Sequence, residues 1–346
     1  TVVAAASYNG VPGQAASSSP SQVAEESYLL YVPWLDLDST LFVQNTAASP
    51  GTVLVELYDS VGGGTYTEIR TIDAFGSLAI DLGTLAALPP GFQGGAALLS
   101  DQPLAAVVNG QTSIGSLYSY ACGPYGAAQV VLPDTMNDYY GHNTDIWIQN
   151  AGTTPVDVEM TFYASGAAVY THVDSGIEPG RSRLYRTADM SGLPSAFYGW
   201  VLVTASGPVT AASMRQDSVY LNTMASRGTA LSQADTTLVS PWQQKDVSFT
   251  TVLNLAPNLA ELLASWYTTM GILAWSEPVS VAPLTTHSFN TSGLFAGFDG
   301  SLSLQSDQLV VGLVNWSGAS LGAAGVASSP AIGSSGLTTT NYQPRV

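Results

Sequence analysis

The sequence predicts an all-β protein built from three tandem antiparallel β-sandwich modules, with extended segments before the first and after the third. Three observations predict it. One set of landmarks recurs at fixed offsets along the chain. Short β-favouring runs alternate with turn residues roughly every 8 to 12 positions. Lys and Arg, which usually help form the solvent faces of helices, number only 8 in 346 residues, so helical bundles are disfavoured.

Each module starts near a proline, at Pro33-Trp34, Pro133-Asp134 and Pro241-Trp242. An apolar strand ending in Asn follows: Leu41-Phe42-Val43-Gln44-Asn45, Ile146-Trp147-Ile148-Gln149-Asn150 and Thr251-Val252-Leu253-Asn254. These asparagines lie 105 and 104 residues apart. A strand-terminal Asn hydrogen-bonds its own turn, which is the role expected of all three. Thirteen residues beyond each Asn stands a Tyr (Tyr58, Tyr163, Tyr267) that closes an alternating strand. Alternation such as Val53-Leu54-Val55-Glu56-Leu57-Tyr58 fits a sheet with one buried face.

A Phe-x-Gly turn comes next, at Phe92-Gln93-Gly94, Phe197-Tyr198-Gly199 and Phe298-Asp299-Gly300. It leads into a strand, a turn such as Ser100-Asp101-Gln102-Pro103, and a last apolar strand at 104–109, 209–214 and 310–315. Continuous apolar runs such as Ala105-Ala106-Val107-Val108 suggest strands covered on both faces. The helix-compatible stretch 255–263 aligns with the loop 46–52 and reads as a loop variant. Six or seven short strands per module give an immunoglobulin-like sandwich.

The modules occupy 28–113, 128–218 and 236–318. Linkers at 114–127 and 219–235, rich in Gly, Ser and Tyr, are short enough to hold the modules as a semi-rigid rod. Residues 1–27 form an extended N-terminal segment and 319–346 a Gly/Ser/Ala-rich tail. The start, Val2-Val3-Ala4-Ala5-Ala6-Ser7-Tyr8-Asn9-Gly10, reads like the last strand of a module running into a linker; compare Ala105-Ala106-Val107-Val108-Asn109-Gly110. Val2, Val3, Ala4, Ala5, Ala6 and Tyr8 are therefore the candidate subunit-interface residues, a strand that a neighbouring subunit could accept.

With 25 acidic residues against 8 basic and a net charge of −17, the chain lacks the cations to neutralise nucleic acid or an anionic membrane surface. No window reaches the roughly 18 apolar residues of a membrane span, so no membrane insertion is expected. Position 1 is Thr, with neither a basic segment nor an apolar signal core after it, which suggests that a targeting peptide has been removed. The single cysteine, Cys122, makes no internal disulfide; it is a buried thiol or an intermolecular bridge.

No constellation for catalysis emerges. His142, His172 and His287 occupy unrelated points of the repeat, so neither a zinc site nor an acid–base pair is expected. Gly318-Ala319-Ser320-Leu321-Gly322 matches the pattern of a nucleophile elbow but lacks its strand-turn-helix context. Asp36 with Asp38, and Asp134 with Asp138, lack a calcium-loop pattern and read as solvated loop charges. Lys245, the only lysine, is the one residue able to form an isopeptide crosslink, and its loop position favours ordinary exposure. Asn290-Thr291-Ser292 and Asn315-Trp316-Ser317 are sequons, making Asn290 and Asn315 the possible glycosylation sites. No catalytic, metal or cofactor-binding residue is expected, and no cofactor.

The proline near each module's start, the segment Asn143-Thr144-Asp145-Ile146-Trp147-Ile148-Gln149-Asn150, a Phe-Tyr strand, and Phe-x-Gly before Ser-Asp-Gln-Pro together resemble secreted β-sandwich repeat proteins of Chloroflexota-like filamentous bacteria. The resemblance covers the three modules; the third departs most, lacking Gln before Asn254 and Pro after Gln308. It implies an exported surface protein and carries over no functional residue. The expected function is that of a structural subunit in an extracellular, pilus-like filament or surface array, a homopolymer joined head to tail by strand addition. Such a heterologous contact does not close and so generates a fibre. The alternative is a cell-surface adhesin or carbohydrate-binding rod, reading surface glycans with Trp34, Trp242 and Trp316 near the module ends, while Trp147, Trp266 and Trp275 lie in the core.

Overall fold

The computed structural model describes residues 27–112, 117–124, 126–217, 223–246, 248–317 and 326–333. The protein is all-β, three tandem antiparallel sandwich modules that share seven strands in one pairing order, with one further short strand in each of modules 2 and 3 among the described residues. Module 1 consists of β1 (Ser27–Asp36), β2 (Ser39–Asn45), β3 (Gly51–Asp59), β4 (Thr65–Ile72), β5 (Ser77–Asp81), β6 (Gln93–Gln111) and β7 (Leu117–Ala121). Module 2 has β8 (Ala127–Asn137), β9 (His142–Asn150), β10 (Val156–Ala164), β11 (Ala167–Ile177), β12 (Ser182–Arg186), β13 (Phe197–Asp217), β14 (Thr223–Arg227) and β15 (Thr229–Ala230). Module 3 has β16 (Asp235–Gln244), β17 (Ser248–Asn254), β18 (Ala260–Thr268), β19 (Leu273–Val281), β20 (Thr286–Asn290), β21 (Asp299–Ser317), β22 (Val326–Pro330) and β23 (Ile332–Gly333).

One long strand organises each module. The first part of β6 pairs with β3 and β1; from Leu104 onward it pairs with β2 and, further along, β7. It thus belongs to two sheets, β4-β3-β6-β1 and β5-β2-β6-β7, whose inner faces enclose the core. β13 and β21 play the same part in modules 2 and 3. The segment Ser100–Pro103, expected as a turn between two strands, is a bend within one strand. Polar side chains serve the backbone at the bend: Asp101 Oδ1 accepts from Thr52 N at 2.7 Å and Ser100 Oγ from Gln102 N at 3.1 Å. In module 3, Asp307 and Ser306 do the same for Glu261 N and Gln308 N.

The linkers also differ from expectation. Residues 114–127 carry β7, 219–235 carry β14 and β15, and the tail carries β22 and β23. Tyr118, Tyr120 and Cys122 alternate into the core of module 1, so the linker supplies an edge strand and two large buried rings. Their Ser and Gly neighbours hide this alternation in the sequence. β7 also lies against both β14 and β22, and β14 against β22. Module 1 therefore touches module 3 through these closing strands, and the chain is not the extended rod that short linkers suggest.

Each module has its own apolar centre, exemplified by Val55, Leu57 and Phe92, by Met160, Phe162 and Phe197, and by Trp266, Phe289 and Phe298. The segment 255–259 is a loop and β18 begins at Ala260, as its alignment with 46–52 implies. The expected N-terminal strand, Val2 to Tyr8, and the Ser320 motif lie outside the described residues.

Candidate functional site: the contacts between modules

The repeat landmarks hold each module's frame. Asn45 Nδ2 donates to Ser49 O at 2.7 Å in its own turn and, 27 and 28 residues on, to Ile72 O at 3.3 Å and Asp73 O at 3.1 Å; its Oδ1 accepts from Ala47 N at 2.9 Å. Asn150 binds Thr154 O, Ile177 O and Gly152 N at 2.8, 2.7 and 2.7 Å. Asn254 binds Asn258 O, Val281 O, Ala282 O and Ala256 N at 2.8, 3.0, 3.3 and 2.9 Å. The Asn closes its own turn, as expected, and also ties that turn to the end of a distant strand.

Tyr and Phe-x-Gly form a second unit. A Cβ at Gly94 would lie 1.8 Å from Tyr58 O, one at Gly199 1.9 Å from Tyr163 O, and one at Gly300 1.9 Å from Tyr267 O. No other residue permits the two strands to pass so closely. Phe92, Phe197 and Phe298 are buried beside these crossings.

The groups beyond these frames converge on the joints between modules. At the first joint the outer face of β9 and β12 covers the outer face of β1, β3 and β6. Trp147 stacks on Trp34 with ring centroids 4.5 Å apart and planes 24° apart, and Tyr118 covers Trp34 at 4.5 Å. Gln149 Nε2 donates to Ala96 O in module 1 and to Gly180 O in its own module, both at 2.9 Å. Tyr31 OH donates to Ala151 O at 2.9 Å and Ser60 Oγ to Ser182 O at 2.7 Å. Arg181 donates to the carbonyls of Asp59, Gly63 and Gly64 in the β3–β4 turn. A Cβ at Gly180 would sit 2.3 Å from the Tyr58 ring, so the two are in close contact.

The second joint uses the same positions with other chemistry. Val131, Trp200, Leu253 and Val311 form a small apolar cluster with Tyr163, Leu255 and Leu284 against it. Tyr163 stacks on Trp200 at 4.1 Å, and Trp200 Nε1 donates to Leu284 O at 2.9 Å. Asp134, at the register position of Trp34, is buried, accepts from Arg215 Nη1 at 2.7 Å and lies 3.5 Å from Asn315 Nδ2.

Several sequence expectations are corrected here. Trp34 is 5% exposed with both faces covered, so it is no sugar platform. Asp134 is not a solvated loop charge but half of a buried ion pair. Asn315 is fully buried, out of reach of glycosylation in the folded chain, whereas Asn290 is exposed. Lys245 Nζ is held by the carbonyls of Ser292 and Leu294 at 2.7 and 2.6 Å, an anchor for its loop and not a crosslink. Cys122 is buried, and burial pushes its thiol up to about 12, which fits the inert reading and opposes an intermolecular bridge. Trp275 is half-buried and stacks on Trp266 at 5.0 Å.

The first joint leaves a cleft of about 540 Å³ lined by Asp36, Asp38, Asp145, Arg186, Trp34 and Trp147 among others. Burial pushes the Asp145 carboxyl up to about 6, against the pull of Arg186 at 3.7 Å and with the help of Asp189. His142, His172 and His287 stand on three different strands, and no group of three metal-ligating side chains occurs among the described residues. No described helix is long and apolar enough to cross a membrane.

The joint residues were missed in the sequence because an outward side chain in an alternating strand reads as solvent-facing. One signal was present. Ile146-Trp147-Ile148 is a continuous apolar run, the mark of a strand covered on both faces.

No protein-family model matches the chain, and no curated protein matches it. Among solved structures it is similar to Thermotoga maritima 1070, at 22% identity over 30% of this chain and 95% of that one with a TM-score of 0.27. It is also similar to a tetra-tandem repeat in the extending region of a large adhesion protein, at 16% identity over 86% and 73% of the two chains with a TM-score of 0.16. A glycosyl hydrolase family 2 member from Bacteroides cellulosilyticus matches at 10% identity over 86% and 36%, with a TM-score of 0.17. These likenesses are too slight to carry a function across.

Proposed function

We propose that this chain is a structural subunit of an extracellular surface assembly, a homopolymer in which copies join head to tail and the N-terminal segment adds as a strand to a neighbour. The observation that carries the reading is where the chemistry is placed. Trp34, Trp147, Gln149, Arg181, Trp200 and Asp134, the last through Asn315 of module 3, all serve the fitting of one module onto the next. A protein whose most specific side chains make repeatable joints is built to extend a stack.

The placement outside the cell rests on the acidic, lysine-poor composition and on the resemblance of the repeat motifs to secreted surface proteins. The role is mechanical and not catalytic. Negative-stain electron microscopy of the intact chain beside a version lacking residues 1–26 tests it. Fibres or ordered arrays from the first and separate particles from the second support the reading; separate particles from both refute it.

A further inference from the structure

We propose that the two end faces of the chain form a third joint of the same kind, the outer β2–β5 face of module 1 in one copy covering the outer β16–β18–β21 face of module 3 in another. The inference rests on the assembly reading above and names its surfaces.

The two internal joints define what such a face looks like when covered. In β9 the outward residues Trp147 and Gln149 are buried along with their inward neighbours, and in β17 so are Thr251 and Leu253. β2 has the same register, but its burial alternates, with Phe42 and Gln44 only half-buried. An aromatic followed two residues later by Gln is also what β9 presents, and there it grips the preceding module through the stack on Trp34 and the bond to Ala96 O. Module 1 thus carries the gripping pair without a covering module among the described residues.

The turn before β5 agrees. Phe75, Gly180 and Leu284 occupy equivalent positions, each with a positive φ of 55°, 75° and 56°. Gly180 meets Tyr58, and Leu284 O meets Trp200 beside Tyr163. Among the described residues Phe75 meets neither kind of partner, and it is 64% exposed. A large apolar residue held outward at a position where its two counterparts are joint contacts marks an interface.

Module 3 supplies the complement. Tyr267 repeats Tyr58 and Tyr163, and Leu302 stands where Ala96 stands. Trp242 holds in β16 the register position of Trp34 in β1, since Gln243 pairs with Gly300 as Leu35 pairs with Gly94. The β18–β19 turn, the counterpart of the Asp59–Gly64 turn that Arg181 grips, exposes Met270 (82%) and Ile272 (60%). Both surfaces lie on one molecule but on different modules, so the contact between copies is heterologous.

Two Cys variants test the pairing: Ser77→Cys at the head and Thr269→Cys at the tail, equivalent to Ser182 and Ser60 across the first joint, where Ser60 Oγ reaches Ser182 O at 2.7 Å. Both sites are exposed, and Cys122 is buried, so background reaction is low. The two proteins are mixed with a short bis-maleimide and the products resolved by mass. In parallel, Phe75→Glu is compared with the wild type by sedimentation velocity. The pairing predicts a mixed dimer at least tenfold above either variant alone, and at least tenfold weaker association for Phe75→Glu. Assemblies that form without the crosslink and tolerate Phe75→Glu overturn the pairing and leave strand addition standing. A chain that stays monomeric at every concentration overturns both.

Discussion

Trp147 of module 2 lies on Trp34 of module 1 with ring centroids 4.5 Å apart, and Tyr118, from a segment that reads as linker, covers Trp34 at the same distance. Three aromatic rings from three parts of the chain thus join one module's core to the next module's surface. Trp147→Ala should cost about 3–5 kcal/mol, the usual loss for truncating a large buried ring. Chemical denaturation monitored by tryptophan fluorescence checks it. A loss below about 1 kcal/mol shows that the stack does not hold the joint.

The three asparagines should behave alike. Asn45→Ala, Asn150→Ala and Asn254→Ala each remove the partner of at least two carbonyls and one amide, some of them buried, and each should cost about 2–4 kcal/mol. Equilibrium unfolding of the three variants measures this. Near-neutral results would mean that water replaces the side chain.

Ala196 offers a stabilising change. It has a φ of 56° before Phe197, where modules 1 and 3 have Gly91 and Gly297 with φ of 78° and 76°. A Cβ is unfavourable there, so Ala196→Gly should raise stability by about 0.5–1 kcal/mol, although glycine elsewhere usually lowers it. Thermal unfolding of the single variant gives the sign directly.

The pair Asp134–Arg215 should show the asymmetry of buried charge, with side chains 5% and 11% exposed. Arg215→Met alone leaves a carboxylate uncompensated and should cost about 3–5 kcal/mol; Asp134→Leu added to it should recover most of that loss. If the double variant is as unstable as the single, the cost comes from lost packing instead.

Asp145 sets a pH dependence. Its folded carboxyl is raised from 3.8 to about 6 by burial, so folding favours its protonated form. That contribution is complete below about pH 4 and is lost as the pH rises through about 6. Asp145→Asn should therefore be more stable relative to the wild type at pH 7.5 than at pH 4 by about 1–2 kcal/mol. Denaturant titrations at the two pH values measure the difference, and a constant gap contradicts the assignment.

What the sequence reveals and hides follows from where each interaction closes. The bonds of Asn150 to its own turn and the fit of Gly199 against Tyr163 O recur at fixed spacing, so the repeat exposes them. The bend at Ser100–Pro103 carries turn-like residues because Asp101 and Ser100 bond backbone amides there, and this made one strand read as two. Gln149 and Arg181 were hidden for a different reason. Their partners, Ala96 O and the 59–64 carbonyls, are main-chain atoms in another module, which leave no complementary residue type to find. Tyr118 and Tyr120 are a true period-2 signal, but Ser and Gly neighbours gave the segment the composition of a linker.

The most direct test of the account is sedimentation velocity of the intact chain over a wide concentration series. Open-ended head-to-tail association predicts a weight-average sedimentation coefficient that keeps rising with concentration, without a plateau at the dimer. A single monomeric species, unchanged across the series, would contradict the claim that these joints exist to be continued from one copy to the next.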